Sequence, residues 1–272
     1  MRRLLCSMLV FLAISVEASA APSADPWPFW AESDPASTRM IDFGFWNLFV
    51  ARYVESSPDG INRVAYGAVT PADRQALHQD LDRLAALPIR RYARPQQMAY
   101  WINLYNALTV DTVLAHYPVD SIRDISISPG LFTRGPWDRK LLSVEGQALS
   151  LNDIEHRILR PLWHDPRVHY ALNCASLGCP NLARTAYEAE RLDAMLDAAA
   201  RAYVNHPRGA SVNGGKLTVS SIYRWYADDF GGSDTGVIEH LKRYADPPLS
   251  RLLDGVAGIA DDRYDWRLND AR

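Results

Sequence analysis

The chemistry-bearing residues of this chain concentrate in one stretch, His169-Tyr-Ala-Leu-Asn-Cys-Ala-Ser-Leu-Gly-Cys-Pro180. Its two cysteines, Cys174 and Cys179, admit two readings. Two thiols this close in a loop reach disulfide geometry, and in an oxidising compartment they pair. Left free at the end of an apolar run, Cys174 is a nucleophile, with the amides of the 174–178 loop aimed at a developing oxyanion. The spacing is not Cys-x-x-Cys, so a thioredoxin-like use is disfavoured. His169 is the nearest candidate base. If 168–172 is an extended strand, five residues span roughly 16 Å and side chains alternate faces. A His169–Cys174 contact then requires the chain to turn at Asn173. The competing reading of His169 is a hydrogen-bonded core histidine.

A second group lies on the segment Leu151–Arg160, expected to be a helix capped by Ser150, with Asp153 completing a capping box. At roughly 100° per residue, Glu155 falls inside the apolar face formed by Leu151, Ile154, Ile158 and Leu159. A carboxylate there needs a cationic or histidine partner, or a displaced pKa. Glu155 is therefore a candidate to orient a histidine or to act as acid or base; a salt bridge to an arginine is the bland alternative. His156 lies at the edge of that face, and Arg160 points toward solvent or a cleft.

The elements that position these residues are legible in outline. Helices are expected at about 38–54, at 70–86 behind Thr70 and Pro71, at 96–116, at 188–205, from Ser220 or Ser221 through Tyr226, and at 236–244. The helix at 96–116 is apolar nearly all round, which marks a buried central helix. Asn103 and Asn106 must then be buried and hydrogen-bonded. Short strands are expected at 140–144 with a return to Leu149, at 168–172, and as a hairpin at 210–212 and 216–219 around Asn213-Gly214-Gly215. Trp225, Tyr226, Asp228, Asp229 and Phe230 are candidates for an exposed cleft. The fold class is α+β: a mostly helical layer around a small antiparallel sheet.

The chain has 272 residues, 48% hydrophobic and 22% charged, which suffices for a real core without disulfide scaffolding. A formal net charge of −3 excludes a dedicated nucleic-acid binder. Arg2 and Arg3, an apolar run from Leu4 to Ile14, and Ala18-Ser19-Ala20 read as a secretory signal cleaved after Ala20. The mature protein is expected to be periplasmic or secreted, with no transmembrane segment. Residues 21–36 are expected to be poorly ordered, and 37–272 to form one domain. No P-loop, His-Glu-x-x-His or Gly-x-Ser-x-Gly motif is present, so neither cofactor nor metal is expected.

Several motifs together are similar to the domain-of-unknown-function 547 family. They are Ala99–Val110, Tyr117-Pro118 with Ser121-Ile122-Arg123, Leu149–Arg160 and, most specifically, His169–Leu182. Ser221-Ile222, Trp225-Tyr226, Asp229-Phe230 and Tyr264–Asn269 follow. The resemblance runs from about residue 40 to the end and implies no established activity. It puts weight on Asn103, Asn106, Glu155, His156, Arg160, His169, Cys174 and Cys179. In residue types the set is similar to papain-like and transglutaminase-like thiol enzymes. The leading expectation is a thiol-dependent acyl-transfer enzyme acting on peptide-like amides. Cys174 attacks, His169 or His156 is the base, Glu155 orients it, and Asn106 or the loop amides hold the oxyanion. Arg160, Asn103 and Asn173 would contact substrate. The alternative is a non-catalytic binding or structural module closed by a Cys174–Cys179 disulfide, with an unknown small-molecule or peptide ligand.

Overall fold

The computed structural model describes residues 23–130 and 133–272. The expected signal segment, residues 1–20, lies outside them. The architecture is α+β. Its centre is α3 (Arg94–His116), of which eighteen residues from Gln96 to Leu114 are buried. No polar stripe exists on this helix, so every side of it has to be covered. α1 (Gly44–Tyr53) and α2 (Pro71–Ala85) supply part of that cover. α2 starts where sequence rules place it: Thr70 accepts from the Asp73 N–H, and Pro71 occupies the first helical position.

Among the described residues three small sheets decorate the helices. β1 (Val54–Ser56) and β2 (Asn62–Val64) form one hairpin, and β3 (Leu142–Val144) and β4 (Gln147–Leu149) another. The third sheet runs β5 (Ala210–Asn213), β6 (Lys216–Ser220), β7 (Ile259–Arg263). Its first pair is the expected antiparallel hairpin, and β7 adds to it in parallel.

The segment expected as a helix over 151–160 is helical, with a difference. Asp153–Leu159 is π-helical and continues as α4 (Arg160–Trp163). Ser150 and Asp153 form the expected capping box, each side chain accepting the other's backbone N–H. In an α-helix Glu155 and Arg160 would sit roughly 140° apart. The i→i+5 ladder, seen in the Arg160 N–H bonding to the Glu155 carbonyl, brings residues five apart onto nearly one side. Arg160 is accordingly buried and lines a cleft, the second of the two places expected for it, rather than standing in solvent.

The strand expected at 168–172 is instead a single helical turn, α5 (Val168–Ala171). Short apolar runs do not distinguish strand from helix by periodicity. Here the carbonyls of Asp165, Pro166 and Arg167 accept from the N–H groups of Val168, His169 and Tyr170, and the turn is set before the apolar run begins. α6 (Leu192–Val204), α7 (Ile222–Trp225), α8 (Asp234–Tyr244) and α9 (Pro247–Leu253) complete the helices among the described residues.

Residues 21–36, expected to be loose, are docked in their described part. The Asp25 and Trp27 N–H groups bond to the His156 and Arg157 carbonyls, and Trp30 is buried against Trp101. Burying Trp27, Phe29 and Trp30 outweighs the disorder-prone Pro and Ser around them. The buried side chains form two clusters. One surrounds α3; the other joins Tyr170 and the end of α6 to α7, α8 and the third sheet.

Among the described residues no helix is long and apolar enough to cross a membrane.

Candidate functional site

A group of buried polar residues lies where the two apolar clusters meet. His169 is central. Its Nδ1 lies 3.5 Å from Glu155 Oε1, and its Nε2 lies 2.6 Å from Asp229 Oδ2. Arg160 Nε donates to the same Asp229 oxygen at 2.6 Å, and its guanidinium sits 3.1 Å from His156 Nδ1. Tyr226 stacks on His169 with ring centroids 4.3 Å apart and lies 4.8 Å from the Arg160 guanidinium carbon. Four segments therefore meet here: the π-helical stretch, α4, α5 and the turn after α7.

The electrostatics follow from that geometry. Burial alone raises the Glu155 carboxyl, but His156, His169 and Arg160 outweigh it and hold it at about 2. Burial alone lowers His169; hydrogen bonds to Asp229 and Glu155 overcome this and raise it. Burial opposes ionisation of Asp229 as well, and His169 and Arg160 hold it well below the usual carboxylate range. His156 goes the other way: burial lowers it, and Arg160 adds to the effect. With both ring nitrogens turned to carboxylates, His169 is favoured in its protonated form, which has no lone pair to take a proton.

These directions give a testable pH dependence. Glu155 contributes stability above its unfolded value of about 4.5 and loses it as pH falls toward about 2. His169 contributes fully below 6.5 and loses its contribution as pH rises through its raised folded value. His156 and His240, both lowered by burial, oppose His169 below 6.5. The decisive measurement is therefore a comparison of urea unfolding from pH 2 to 9 in wild type and Glu155→Gln. The variant should flatten the acid limb between 4.5 and 2. An unchanged limb would remove Glu155 as its cause.

Cys174 and Cys179 are bonded to each other, with Cα atoms 6.1 Å apart. The Tyr264 hydroxyl lies 3.0 Å from Cys174 Sγ and 3.1 Å from Cys179 Sγ. Ser176 Oγ is 3.4 Å from Cys174 Sγ, and the Cys174 N–H donates to Cys179 Sγ at 2.8 Å. Among the described residues, the hydrogen-bond partners of the Cys174 sulfur are hydroxyls and not imidazoles. His169 and Cys174 are thus neighbours in sequence that face different partners.

The asparagines hold backbone. Asn106 donates to the Ala171 carbonyl and accepts from the Asn173 N–H, at 2.9 and 2.8 Å. Asn103 makes the same two-sided clamp on Tyr187. Asn173 is buried, donating to the Pro180 carbonyl and accepting from the Ala175 N–H and from Asn269. The chain after β7 straps this loop down: Arg267 and Asp265 carbonyls accept from the Leu177 and Gly178 N–H groups. Gly178 permits that approach, since a Cβ there would lie 2.8 Å from the Asp265 nitrogen.

An opening reaches the ion cluster through Asp229. A cavity of about 150 Å³ is lined by Arg160, His164, Asp165, Pro166, Asp228 and Asp229. Among the described residues no three His, Cys, Asp or Glu side chains are grouped to hold a metal ion. Asp229, Tyr226 and Tyr264 were visible in the motifs Trp225-Tyr226, Asp229-Phe230 and Tyr264–Asn269. What sequence reasoning missed was their partners, sixty residues from Asp229 to His169 and ninety from Tyr264 to Cys174.

Residues 89–204 match a family described as protein of unknown function, DUF547. Neither a curated protein nor a solved structure matches the chain. α3, the π-helical stretch, the cysteine loop and α6 all fall inside the matched residues, so this part of the chain is similar to the domain-of-unknown-function 547 family.

Proposed function

We propose that this protein is an exported binding module for a small amine- or hydroxyl-bearing ligand, and not a thiol-dependent acyl-transfer enzyme. The observation that carries the reading is the engagement of the nucleophile, the nearest base and the oxyanion amide that acyl transfer would use. The Cys174 sulfur is bonded to Cys179, both His169 nitrogens face carboxylates, and the Asn106 amide is bonded at both ends to backbone. Such a set is a self-satisfied network, not a nucleophile beside a base. The oxidised pair also suits an exported chain.

The ligand class follows from the recess. Three of its side chains are carboxylates, Asp165, Asp228 and Asp229. Asp165 is paired with Arg167, and Asp229 with Arg160 and His169. Asp228 is exposed at the rim, where it meets an incoming amine or hydroxyl.

The test is ligand-observed NMR with glucosamine as probe, alongside p-nitrophenyl acetate as acyl donor. Binding that weakens in Asp228→Asn, with no acyl adduct on the oxidised chain, is the expected result. A stoichiometric acyl adduct on Cys174 would overturn the reading in favour of acyl transfer. Absence of probe binding would overturn the ligand class.

A further inference from the structure

The two sulfurs of the Cys174–Cys179 bond are not equivalent. Cys179 is buried and Cys174 only half-buried. The Cys174 N–H donates to the buried one at 2.8 Å, while the Tyr264 hydroxyl sits between the two, 3.1 Å from Cys179 Sγ and 3.0 Å from Cys174 Sγ. Ser176 donates to the Tyr264 oxygen at 3.1 Å, which leaves the tyrosine proton for sulfur. A disulfide sulfur is uncharged and gains little from such donors, whereas a thiolate gains much more. The arrangement favours Cys179 as the leaving sulfur when the bond is attacked.

The bond is also redundant as a staple. The loop is held by the Arg267 and Asp265 carbonyls, by the Asn173 amide on Pro180, and by Tyr203 donating to the Gly178 carbonyl. Opening the bond leaves those attachments in place. Beside it, the half-buried rings of Trp225 and Trp266 lie 4.8 and 4.6 Å from that of Tyr264, an aromatic wall suited to an extended peptide.

We infer that Cys174–Cys179 is a thiol–disulfide exchange site for thiols of a peptide or protein, a role beyond ligand binding in the Asp229 recess. A substrate thiolate attacks Cys174 Sγ. The Cys174–Cys179 bond breaks, a substrate–Cys174 bond forms, and the electron pair leaves on Cys179. A second substrate thiolate attacks the substrate sulfur of that mixed disulfide and releases Cys174. Two substrate thiols are oxidised to one disulfide, and the two protons and two electrons they give up reduce the cysteine pair.

The experiment equilibrates the full folded chain with glutathione redox buffers, quenches with acid, alkylates, and weighs the products. The bond should open without denaturant. In Cys179→Ser, oxidised glutathione should form a mixed disulfide on Cys174. Tyr264→Phe keeps the ring and should shift the equilibrium about tenfold toward the disulfide, the effect of removing one donor from a charged acceptor. If that variant does not fold, Ser176→Ala carries the same test with a smaller shift of the same sign. A bond that opens only in denaturant, or an equilibrium unmoved in the folded variant, would overturn the inference. Neither outcome bears on glucosamine binding, so the two readings fail separately.

Discussion

Asp229→Asn should lower the unfolding free energy of the oxidised chain by about 3 kcal/mol, the low end of what losing one partner of a buried ion pair costs. The reason is the sharing of a single oxygen. Arg160 Nε and His169 Nε2 both lie 2.6 Å from Asp229 Oδ2. An amide there removes the charge that separates two cations. The low end applies because the Asp229 side chain keeps 22% exposure, so water screens part of the loss. Asp228→Asn is the control. It changes an exposed neighbour and should move stability by no more than about 0.5 kcal/mol. Urea unfolding of both variants reads the difference. Equal effects would mean that the cluster is not held by Asp229.

Asn106→Ala should cost about 2–6 kcal/mol, by a different mechanism. The side chain amide satisfies a buried carbonyl at Ala171 and a buried N–H at Asn173, on either side of Leu172. Removing it strands both groups in a region sealed by α3, at roughly 1–3 kcal/mol each. Asn106→Asp discriminates further. A carboxylate still accepts from the Asn173 N–H but faces the Ala171 carbonyl with no donor, so it too should destabilise. An oxyanion role would instead leave stability unchanged and touch only an acyl-transfer rate. A stable Asn106→Ala protein would remove the clamp described here.

Much of this was readable along the chain. α3 was legible because an all-round apolar helix has nowhere to go but the middle, and its two asparagines therefore had to be bonded. The Ser150–Asp153 box and the Asn213-Gly214-Gly215 hairpin were legible because caps and turns are local chemistry. The burial of Glu155 followed from its place among Leu151, Ile154 and Ile158. The turn at 168–171 was not legible, because a run this short satisfies either period. The π-helical stretch was not legible either, and with it the burial of Arg160, since a helical wheel assumes one ladder.

What the sequence by itself determined is the resemblance to one family, the α+β class and the list of polar residues that had to be buried. Local propensity and periodicity suffice for those, because they depend on neighbours a few positions away. What only the tertiary structure decided is who meets whom. His169 is enclosed by Glu155 and Asp229 instead of facing Cys174, and the cysteines meet each other beneath the Tyr264 hydroxyl. The enclosure of His169 and the seat of the Tyr264 hydroxyl rest on contacts between distant segments, the turn after α7 and the strap after β7, whereas the cysteine pairing was one of the two readings the local spacing already offered. No spacing within one segment encodes such contacts, since they are fixed by how separately formed elements bury their apolar faces.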